Sequence, residues 1–500
     1  MKVLLTTLNS KYVHGNLALK YLYTAGKPFC PGLEIREFTI NNSRDYVFGE
    51  LVMGDYDAVC FSCYIWNIRQ TLELAQDLKN ANPRLWILFG GPEVSYDWES
   101  FMVRNPFVDF LITGEGEGVF AQWCRQLEGN QAWEQVAGLV FRGKGNGRIL
   151  ANPPGTPLDF KKIPFPYEDF PCERDKVIYY EASRGCPFNC GYCISSLDKT
   201  MRVLPLKRVK QDLSRFLKAR VKQVKFLDRT FNWDRQRSLE LFSWLMDQDQ
   251  GVTNFHFEIC ADLLDEEILR VLGQARKGLF QFEIGIQSTN EKTLKAVNRT
   301  SDLEKTFAHV RRLVSLGNSH IHVDLIAGLP YEDYHSFAKS FDQVYGLGAD
   351  NLQLGFLKLL KGTELRKRAK DLGYVYMENA PYQVIGSDCL SPREVCQLKQ
   401  VETVLDLYHN RGGFENALDW GIQSYGKGAF AFFEAFSQYF HSQGFQHRSH
   451  KKEDLYRIFY AFGCFLEQGE SLKSLLETDL EATMNFDAVK KFKKKGWDIP

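Results

Sequence analysis

The run Cys186-Pro187-Phe188-Asn189-Cys190-Gly191-Tyr192-Cys193 spaces three cysteines as CxxxCxxC, directly after a strand-like apolar stretch over residues 177–183. Three thiolates can bind three irons of a [4Fe–4S] cluster and leave the fourth iron open to another ligand. A structural zinc site is a weaker hypothesis, because zinc closes its tetrahedron with four ligands and no further Cys or His follows within the next sixty residues. A disulfide is weaker still, since one thiol would be left over.

The composition sets broad limits on the class of protein. A chain of 500 residues with 44% hydrophobic content can bury two or three cores. Its 62 basic and 62 acidic residues cancel, so charge gives no argument for a nucleic acid or an acidic membrane as partner. We find no apolar stretch near the ~18 residues of a membrane span and no signal peptide pattern. Twelve cysteines, mostly within apolar runs, suit a reducing compartment, so we expect a cytoplasmic protein.

Short apolar runs alternate with helical stretches over the first 140 residues or so. The predicted strands cover residues 2–8, 33–40, 57–64, 85–91 and 108–114. Buried strands that alternate with helices predict a doubly wound parallel sheet, and such sheets bind ligands beyond the carboxyl ends of their strands. The candidate ligand-binding residues at those ends are Asn9, Ser10, Lys11, Ser62, Asn67, Gly90, Gly91, Glu93, Gly114 and Glu115. Ordinary tight turns are the alternative explanation for the glycines.

A proline-dense stretch separates this region from a second series of strands and helices. The six predicted strands of that series cover residues 177–183, 223–229, 254–261, 280–287, 320–328 and 349–359. Six βα units predict an incomplete (β/α) barrel, whose chemistry belongs at the carboxyl ends of its strands. Helical stretches and clustered aromatic residues follow. The predicted organisation is a sheet domain (1–145), a Pro-rich linker (146–172), a partial barrel (173–372) and a mostly helical domain (373–500).

The cysteine triplet, with Tyr192 before its last cysteine, resembles the motif of the radical S-adenosylmethionine (SAM) superfamily. The resemblance implies that Cys186, Cys190 and Cys193 hold a [4Fe–4S] cluster whose open iron binds the amino and carboxylate groups of SAM. It also implies that an electron from the cluster cleaves SAM to methionine and a 5′-deoxyadenosyl radical.

Four further residues resemble the set that grips SAM in the anaerobic coproporphyrinogen oxidase branch, namely Glu258, Gln287, Arg299 and Asp324. Arg299 would pair with the methionyl carboxylate, Glu258 would meet the amino group, and Gln287 and Asp324 would accept from ribose hydroxyls. Asp228 and the backbone near Tyr192 would line the same cavity. For each residue alone, a structural salt bridge or helix cap is the alternative.

The first domain resembles the cobalamin-binding domain fused to many radical SAM proteins. Ser62 and the pair Gly90-Gly91 fall where that family surrounds the nucleotide tail of the corrin. The family's DxHxxG loop is absent, and the corresponding loop, residues 9–15, carries His14 instead. His14 is a candidate lower ligand of cobalt, with a surface or hydrogen-bonding histidine as the alternative.

These resemblances imply an enzyme that transfers a methyl group to an unactivated carbon of an unknown substrate. The enzyme would receive its electrons from a low-potential donor of the flavodoxin or ferredoxin class. The C-terminal region resembles an uncharacterised helical extension found on one branch of the group. The motifs leave open a radical cyclisation or rearrangement without net methylation. A tRNA methylthiotransferase would need clustered cysteines in its first domain and a basic module, and a non-catalytic cobalamin or iron–sulfur sensor would not cleave SAM. No catalytic residue is identified from the sequence.

Overall fold

The computed structural model describes residues 1–143 and 147–498. The predicted limit between sheet domain and linker, at residues 145 and 146, therefore lies outside the described residues, as do Ile499 and Pro500. The chain divides into two compact units. The first unit comprises Met1–Glu258, Leu359–Lys367 and Met377–Tyr382, and the second comprises Ile259–Lys358, Arg368–Tyr376 and Gln383–Pro500.

A seven-stranded sheet forms the first part of the first unit, in the order β2-β1-β3-β4-β5-β6-β7. Its strands are β1 Lys2–Asn9, β2 Gly32–Thr39, β3 Ala58–Ser62, β4 Trp86–Gly90, β5 Phe110–Ile112, β6 Leu139–Arg142 and β7 Ile149–Ala151. The strands β1 to β5 are parallel, as predicted, whereas β6 and β7 add an antiparallel edge. The sequence did not predict this edge, because strands of three or four residues are too short to display a period.

Helices cover both faces of this sheet and complete the predicted doubly wound arrangement. They are α1 Leu17–Gly26, α2 Arg44–Met53, α3 Ile68–Ala81, α4 Trp98–Arg104 and α5 Gly116–Glu128. One hydrophobic core contains Leu74 of α3 and the other contains Trp123 of α5. Cys63 belongs to the first core and Cys60 to the second. The CxxC pair is therefore split between opposite faces, as expected for core thiols on an extended chain.

The first unit also contains three parallel strands of the predicted barrel and a small hairpin. The strands are β8 Val177–Tyr180, β9 Ser183–Arg184, β10 Arg202–Val203, β11 Gln223–Phe226 and β12 Asn254–Ile259, with α6 Leu206–Lys218 and α7 Arg235–Asp247. β11 pairs in parallel with both β8 and β12. β9 and β10 pair antiparallel, so that the cysteine triplet lies in the loop between them.

The second unit supplies three more parallel strands, β13 Phe280–Gln287, β14 His320–Ala327 and β15 Asn351–Phe356. Their helices are α8 Glu266–Leu272, α9 Glu291–Ala296, α10 Leu303–Leu316 and α11 Tyr334–Tyr345. Along β13, buried and half-buried residues alternate, which is the period of a strand with one face in a core. All six strands predicted for the partial barrel are present, and this prediction is confirmed.

Helices dominate the C-terminal region, as predicted. Before it come α12 Glu364–Lys367 in the first unit and the hairpin of β16 Val375–Tyr376 and β17 Val384–Gly386 in the second. The C-terminal helices are α13 Pro392–Leu405, α14 Glu415–Tyr425, α15 Ala429–Ser442, α16 Lys452–Phe465, α17 Gly469–Thr483 and α18 Phe486–Lys495. Phe436 of α15 stacks on Phe462 of α16, with ring centroids 4.4 Å apart. Among the described residues, none of the helices combines the length and the apolar character that a membrane crossing requires.

Candidate functional site

The loop that carries the three cysteines begins with a glycine that no other residue could replace without strain. Gly185 has φ +92°, and a Cβ there would lie 2.4 Å from the carbonyl oxygen of Thr200. The amide of Cys186 donates to the Asp198 carbonyl at 3.1 Å, and the amide of Cys193 donates to the Cys190 carbonyl at 3.0 Å. The triplet is thus folded back on itself between β9 and β10.

The three thiols lie close enough to affect one another. Burial raises the pKa of the Cys186 thiol, and negative charge on Cys193 and Cys190 raises it further. Among the residues that the structure describes, none of the three forms a disulfide. Over residues 1–143 and 147–498, no three His, Cys, Asp or Glu side chains converge tightly enough for a single metal ion. A [4Fe–4S] cube spreads its thiolates over different irons, so three neighbouring thiols in one loop fit a cluster better than a single ion.

A cavity of about 590 Å³ lies at the carboxyl edge of the first sheet. Loops after β1, β3 and β4 contribute Asn9, Ser10, His14, Tyr64, Trp66 and Glu93 to its wall. The barrel strands of the same unit contribute Tyr179, Glu181, Arg184 and Arg229, and Ile194 lies directly after the last cysteine of the triplet. One cavity is therefore bounded both by the ligand-binding edge of the sheet and by the cluster loop.

A second cavity of about 150 Å³ penetrates the sheet edge itself. Ser62, Gly90, Gly91 and Gly114 line it. The two cavities share Ala18, Tyr64, Pro92 and Glu117 in their walls. A large cavity beside a narrow one fits a bulky ligand with a tail, and the residues predicted to surround the corrin's nucleotide tail line the narrow cavity.

Three of the residues predicted to bind cobalamin, namely Lys11, Asn67 and Glu115, line neither cavity. Asn67 is fully buried, and its side chain accepts from the Tyr64 amide at 2.8 Å while donating to Thr7 Oγ1 at 3.1 Å. Asn67 therefore shapes the loop after β3. Glu115 is bound instead by arginines on either side of the cluster loop.

His14 faces the larger cavity and is held by the barrel. Its Nδ1 lies 2.8 Å from the Tyr179 hydroxyl, and the neighbouring Val13 carbonyl accepts from the Val177 amide at 3.0 Å. Burial, followed by repulsion from Lys11 and Lys225, lowers the pKa of His14. The imidazole is neutral near pH 7, which is the form that can ligate a metal.

Asp228 supports the strand that leads into the cluster loop. Its carboxylate accepts from the Ala182 amide at 2.9 Å and from the Ser183 hydroxyl at 2.5 Å. Burial raises the pKa of Asp228 to about 6. The neighbouring Arg229 lines the cavity and lies 3.7 Å from Glu258. Tyr192 is half-buried within the cysteine triplet.

In the second unit, three residues predicted to bind SAM converge on Gly285. Asp324 is the register partner of Gly285 across β13 and β14. A Cβ on Gly285 would lie 2.1 Å from Gln287 Nε2 and 3.7 Å from Arg299 Nη2. Gln287 has φ +73°, and its buried Oε1 has no hydrogen-bond partner among the described residues. A strained residue with an unsatisfied acceptor fits a ligand that donates a hydrogen bond.

Arg184 and Lys361 are among the residues of the larger cavity that the sequence did not predict, and their position explains why. Arg184 stands beside the cysteine triplet, but nothing local shows that it meets carboxylates from the first sheet. Lys361 lies 268 positions after Glu93 and pairs with its carboxylate at 3.0 Å. Such long-range pairs leave no periodic pattern in a sequence.

Three family profiles match successive parts of the chain. They are the B12 binding domain over residues 3–123, the radical SAM superfamily over residues 180–344, and a protein of unknown function, DUF4080, over residues 370–498. A sheet with a cavity at its carboxyl edge, followed by barrel strands with a CxxxCxxC loop, defines the class of B12-binding radical SAM proteins. The chain has regions that match the B12-binding and radical SAM models in this order, followed by a C-terminal region that matches DUF4080. Its cofactors are a [4Fe–4S] cluster, SAM and cobalamin.

Curated relatives share about a quarter of their residues with the chain. The 2-(S-pantetheinyl)-carbapenam-3-carboxylate methyltransferase of Streptantibioticus cattleyicolor is 25% identical over 64% of this chain and 49% of its own length. The anaerobic magnesium-protoporphyrin IX monomethyl ester cyclase of Synechocystis is 25% identical over 45% of this chain and 46% of its own. The matches thus span about half the length of these relatives.

A solved structure shares the fold over the whole chain. The cobalamin-dependent SAM radical enzyme OxsB, with aqua-cobalamin and SAM bound, has a TM-score of 0.65 at 15% identity. The match covers 100% of this chain and 84% of the OxsB chain.

Proposed function

We propose that this chain is a radical SAM enzyme that transfers a methyl group, carried by cobalamin, to an unactivated carbon of its substrate. The observation that carries the proposal is the larger cavity of the first unit, which the sheet edge and the cluster loop bound together. His14 lies on one side of this cavity, and Arg184 and Ile194 flank the cysteine triplet on the other. A substrate in this cavity would lie within reach of both cobalamin and the cluster.

The proposed roles follow the position of each residue. Cys186, Cys190 and Cys193 hold the cluster, and Gln287, Arg299, Asp324 and Glu258 hold SAM. The residues that hold cobalamin are those that line the two cavities, namely Asn9, Ser10, His14, Ser62, Gly90, Gly91, Glu93 and Gly114. When bound, the cluster and SAM supply a 5′-deoxyadenosyl radical, and cobalamin supplies the methyl group.

The chain's own contribution is to position the cofactors and to exclude water. Arg299 can pair with the SAM carboxylate through its planar guanidinium, and Gln287 Oε1 can accept from a ribose hydroxyl. The aromatic rings of Tyr64 and Trp66, stacked with centroids 4.4 Å apart, form part of the cavity wall. Such a wall shields a radical from solvent.

The reaction needs a reductant, and a donor of the flavodoxin or ferredoxin class fits this need. Cys193 is half-buried and lies nearer the surface of its unit than Cys186 and Cys190, which favours delivery of an electron to that edge of the loop. We place the protein in the cytoplasm, where its twelve thiols would stay reduced.

A radical cyclisation without net methylation is the second candidate. Its support is the Synechocystis relative, whose name describes a cyclase. Both candidates use the same cofactors, so the mass of the product separates them: methylation adds 14 mass units, and a cyclisation that removes two hydrogens subtracts two.

The test uses the full chain, purified and reconstituted without oxygen, with hydroxocobalamin, SAM and a strong reductant. Absorbance follows retained cobalamin while mass spectrometry follows 5′-deoxyadenosine and methylated products from an anaerobic cell extract. The triple variant C186A/C190A/C193A is the matched control, since it should retain cobalamin and form no 5′-deoxyadenosine. Deoxyadenosine without retained cobalamin would contradict the role of the first domain. Cobalamin without deoxyadenosine would instead indicate a sensor.

A further inference from the structure

Arg184 lies in β9, two residues before the first cluster cysteine, and binds three carboxylates. Its guanidinium meets Glu115 at 3.1 Å, Glu117 at 2.5 Å and Glu181 at 3.0 Å. The Arg184 side chain is 13% exposed, and the ring of Phe160 packs against it, with its centroid 4.9 Å from the guanidinium carbon. Each of the three guanidinium nitrogens therefore meets a different carboxylate.

Glu115 carries the network to the other end of the cluster loop. Its carboxylate also binds Arg202, at 2.8 Å, and accepts from the Leu158 amide at 3.0 Å. Arg202 is the register partner of Arg184 in the hairpin of β9 and β10. Arg184 and Arg202, which lie on either side of the cluster loop, therefore share the carboxylate of Glu115. This residue directly precedes α5, a helix that packs on the first sheet.

The same network forms part of the larger cavity's wall. Arg184, Glu117 and Glu181 all line that cavity, together with His14 and Ser10 from the loop after β1. One guanidinium thus lies between the chamber proposed for cobalamin and the loop proposed for the cluster. A ligand that displaces Glu117 or Glu181 by a fraction of an ångström must move Arg184 as well, because packed interiors do not deform freely.

The charges of the network make its geometry sensitive to the occupant of the cavity. Burial tends to raise the pKa of Glu115, but hydrogen bonds from Arg202 and from the Leu158 amide, together with Arg184, outweigh it and lower that pKa. Buried ion pairs are costly to break on one side, because the remaining charge stays desolvated. The network therefore transmits a displacement to the loop instead of dissociating.

We propose that Arg184 is a positioning residue that couples the cobalamin cavity to the cluster loop. Cobalamin binding would then alter the environment of the cluster and its stability on the protein. Cluster assembly would change the affinity for cobalamin by the same factor by which cobalamin changes the affinity for the cluster, since linkage between two sites is reciprocal. The inference rests on the cofactor assignment proposed above and adds a residue through which the two sites act on each other.

The experiment compares four reconstituted full-length proteins: wild type, Arg184→Gln, Arg184→Lys and Lys27→Gln. Lys27 pairs with Asp169 at 2.7 Å in the same unit but lines neither cavity, so it controls for loss of an ion pair. Hydroxocobalamin affinity is measured with and without the cluster, and the electron paramagnetic resonance spectrum of the reduced cluster is recorded with and without hydroxocobalamin.

In wild type and Lys27→Gln we expect the two cobalamin affinities to differ at least about fivefold and the cluster spectrum to shift when hydroxocobalamin binds. Arg184→Gln should bring the affinity ratio close to one and abolish the spectral shift, and Arg184→Lys should restore part of both. Wild type that binds both cofactors with a ratio of one would overturn this inference alone. Wild type that binds no cobalamin would overturn the proposed function with it.

If Arg184→Gln does not fold, Glu117→Gln serves as the second variant, because it keeps the bond from Arg184 to Glu115. It should lower the affinity ratio with the cluster still assembled. An unchanged ratio in Glu117→Gln would contradict the coupling.

Discussion

Gly285 shows how a residue without a side chain can organise a binding site. Gln287, Arg299 and Asp324 were predicted from a resemblance to the anaerobic coproporphyrinogen oxidase branch, and all three lie around this glycine. The missing side chain leaves the space that the Gln287 amide occupies. Gly285 itself was not predicted, because a glycine inside a strand gives no sign of which neighbour fills its place.

The variant Gly285→Ala tests the proposed role of the Gln287 amide. The new Cβ would lie 2.1 Å from Gln287 Nε2, so the amide must swing away while the backbone stays in place. Loss of one hydrogen bond to SAM should lower the affinity about three- to tenfold, as measured by calorimetry on the reconstituted protein. Gly49→Ala, where a Cβ meets no atom within 4 Å, is the control. Equal SAM affinity in all three proteins would exclude the amide from the site.

A second residue-scale prediction concerns pH. Glu332 is 1% exposed, and its Oε1 accepts from Ser288 at 2.6 Å and from Ser340 at 2.8 Å. Burial raises the pKa of Glu332 to about 7 from an ordinary value near 4.5. Between these two values the folded state holds a proton that the unfolded state has released, so stability falls as pH rises through this window.

Glu332→Gln removes this titration and keeps an acceptor for both serines. From pH 5 to pH 8 the wild type should therefore lose stability relative to the variant, on the order of 2 kcal/mol. Urea unfolding at both pH values measures the difference. The exposed Glu291→Gln should follow the wild type. A parallel pH dependence in wild type and Glu332→Gln would show that Glu332 is already ionised at pH 5.

At the scale of elements, a distant segment completes the edge of the first sheet. Lys361, which is 8% exposed, donates to the carbonyl oxygen of Glu93 at 3.1 Å and pairs with its carboxylate. Tyr382 donates to the same carboxylate. The Leu365 amide, in α12, donates to the Gly191 carbonyl within the cluster loop at 2.8 Å. This segment therefore holds both the loop after β4 and the cysteine triplet.

Lys361→Met should loosen the loop after β4, because a buried carboxylate loses its counter-ion. We expect hydroxocobalamin affinity to fall at least about tenfold, equivalent to ~1.4 kcal/mol, with iron content unchanged. Lys361→Arg keeps a cation opposite the Glu93 carboxylate and should retain most of the affinity. Wild-type affinity in Lys361→Met would contradict the role of this ion pair.

At the scale of the molecule, the cluster loop is held by contacts that do not depend on the cluster. Arg184 and Arg202 bind Glu115, the Cys186 amide bonds to Asp198, and the Leu365 amide bonds to Gly191. The fold of both units therefore should not require iron. This distinguishes the chain from small zinc domains, in which metal binding supplies the folding free energy.

The triple variant C186A/C190A/C193A should accordingly be folded and free of iron. Its thermal midpoint should lie within about 5 °C of that of the wild type stripped of its cluster with a chelator, since removal of three small side chains from one loop costs on the order of 1 kcal/mol. Iron analysis and circular dichroism measure the two quantities. Brown colour and unchanged iron in the variant would refute the ligand assignment.

The sequence by itself determined the elements and the chemistry that is local to them. Short apolar runs that alternate with helical stretches predicted the strands of both the sheet and the barrel, and the spacing of three cysteines predicted the cluster. These features are periodic or contiguous, so a short window contains the whole signal.

Only the tertiary structure determines which side chains line the same cavity. Arg184 pairs with Glu115, 69 positions away in the sequence, and Lys361 pairs with Glu93, 268 positions away. In both pairs the two residues lie on different elements, and each element is encoded by its own segment of the sequence. The structure also shows that Asn67, Lys11 and Glu115, which were predicted to bind cobalamin, line neither cavity. Ion pairs of this kind depend on where two elements pack and are satisfied only after packing, so no local pattern in the chain encodes them.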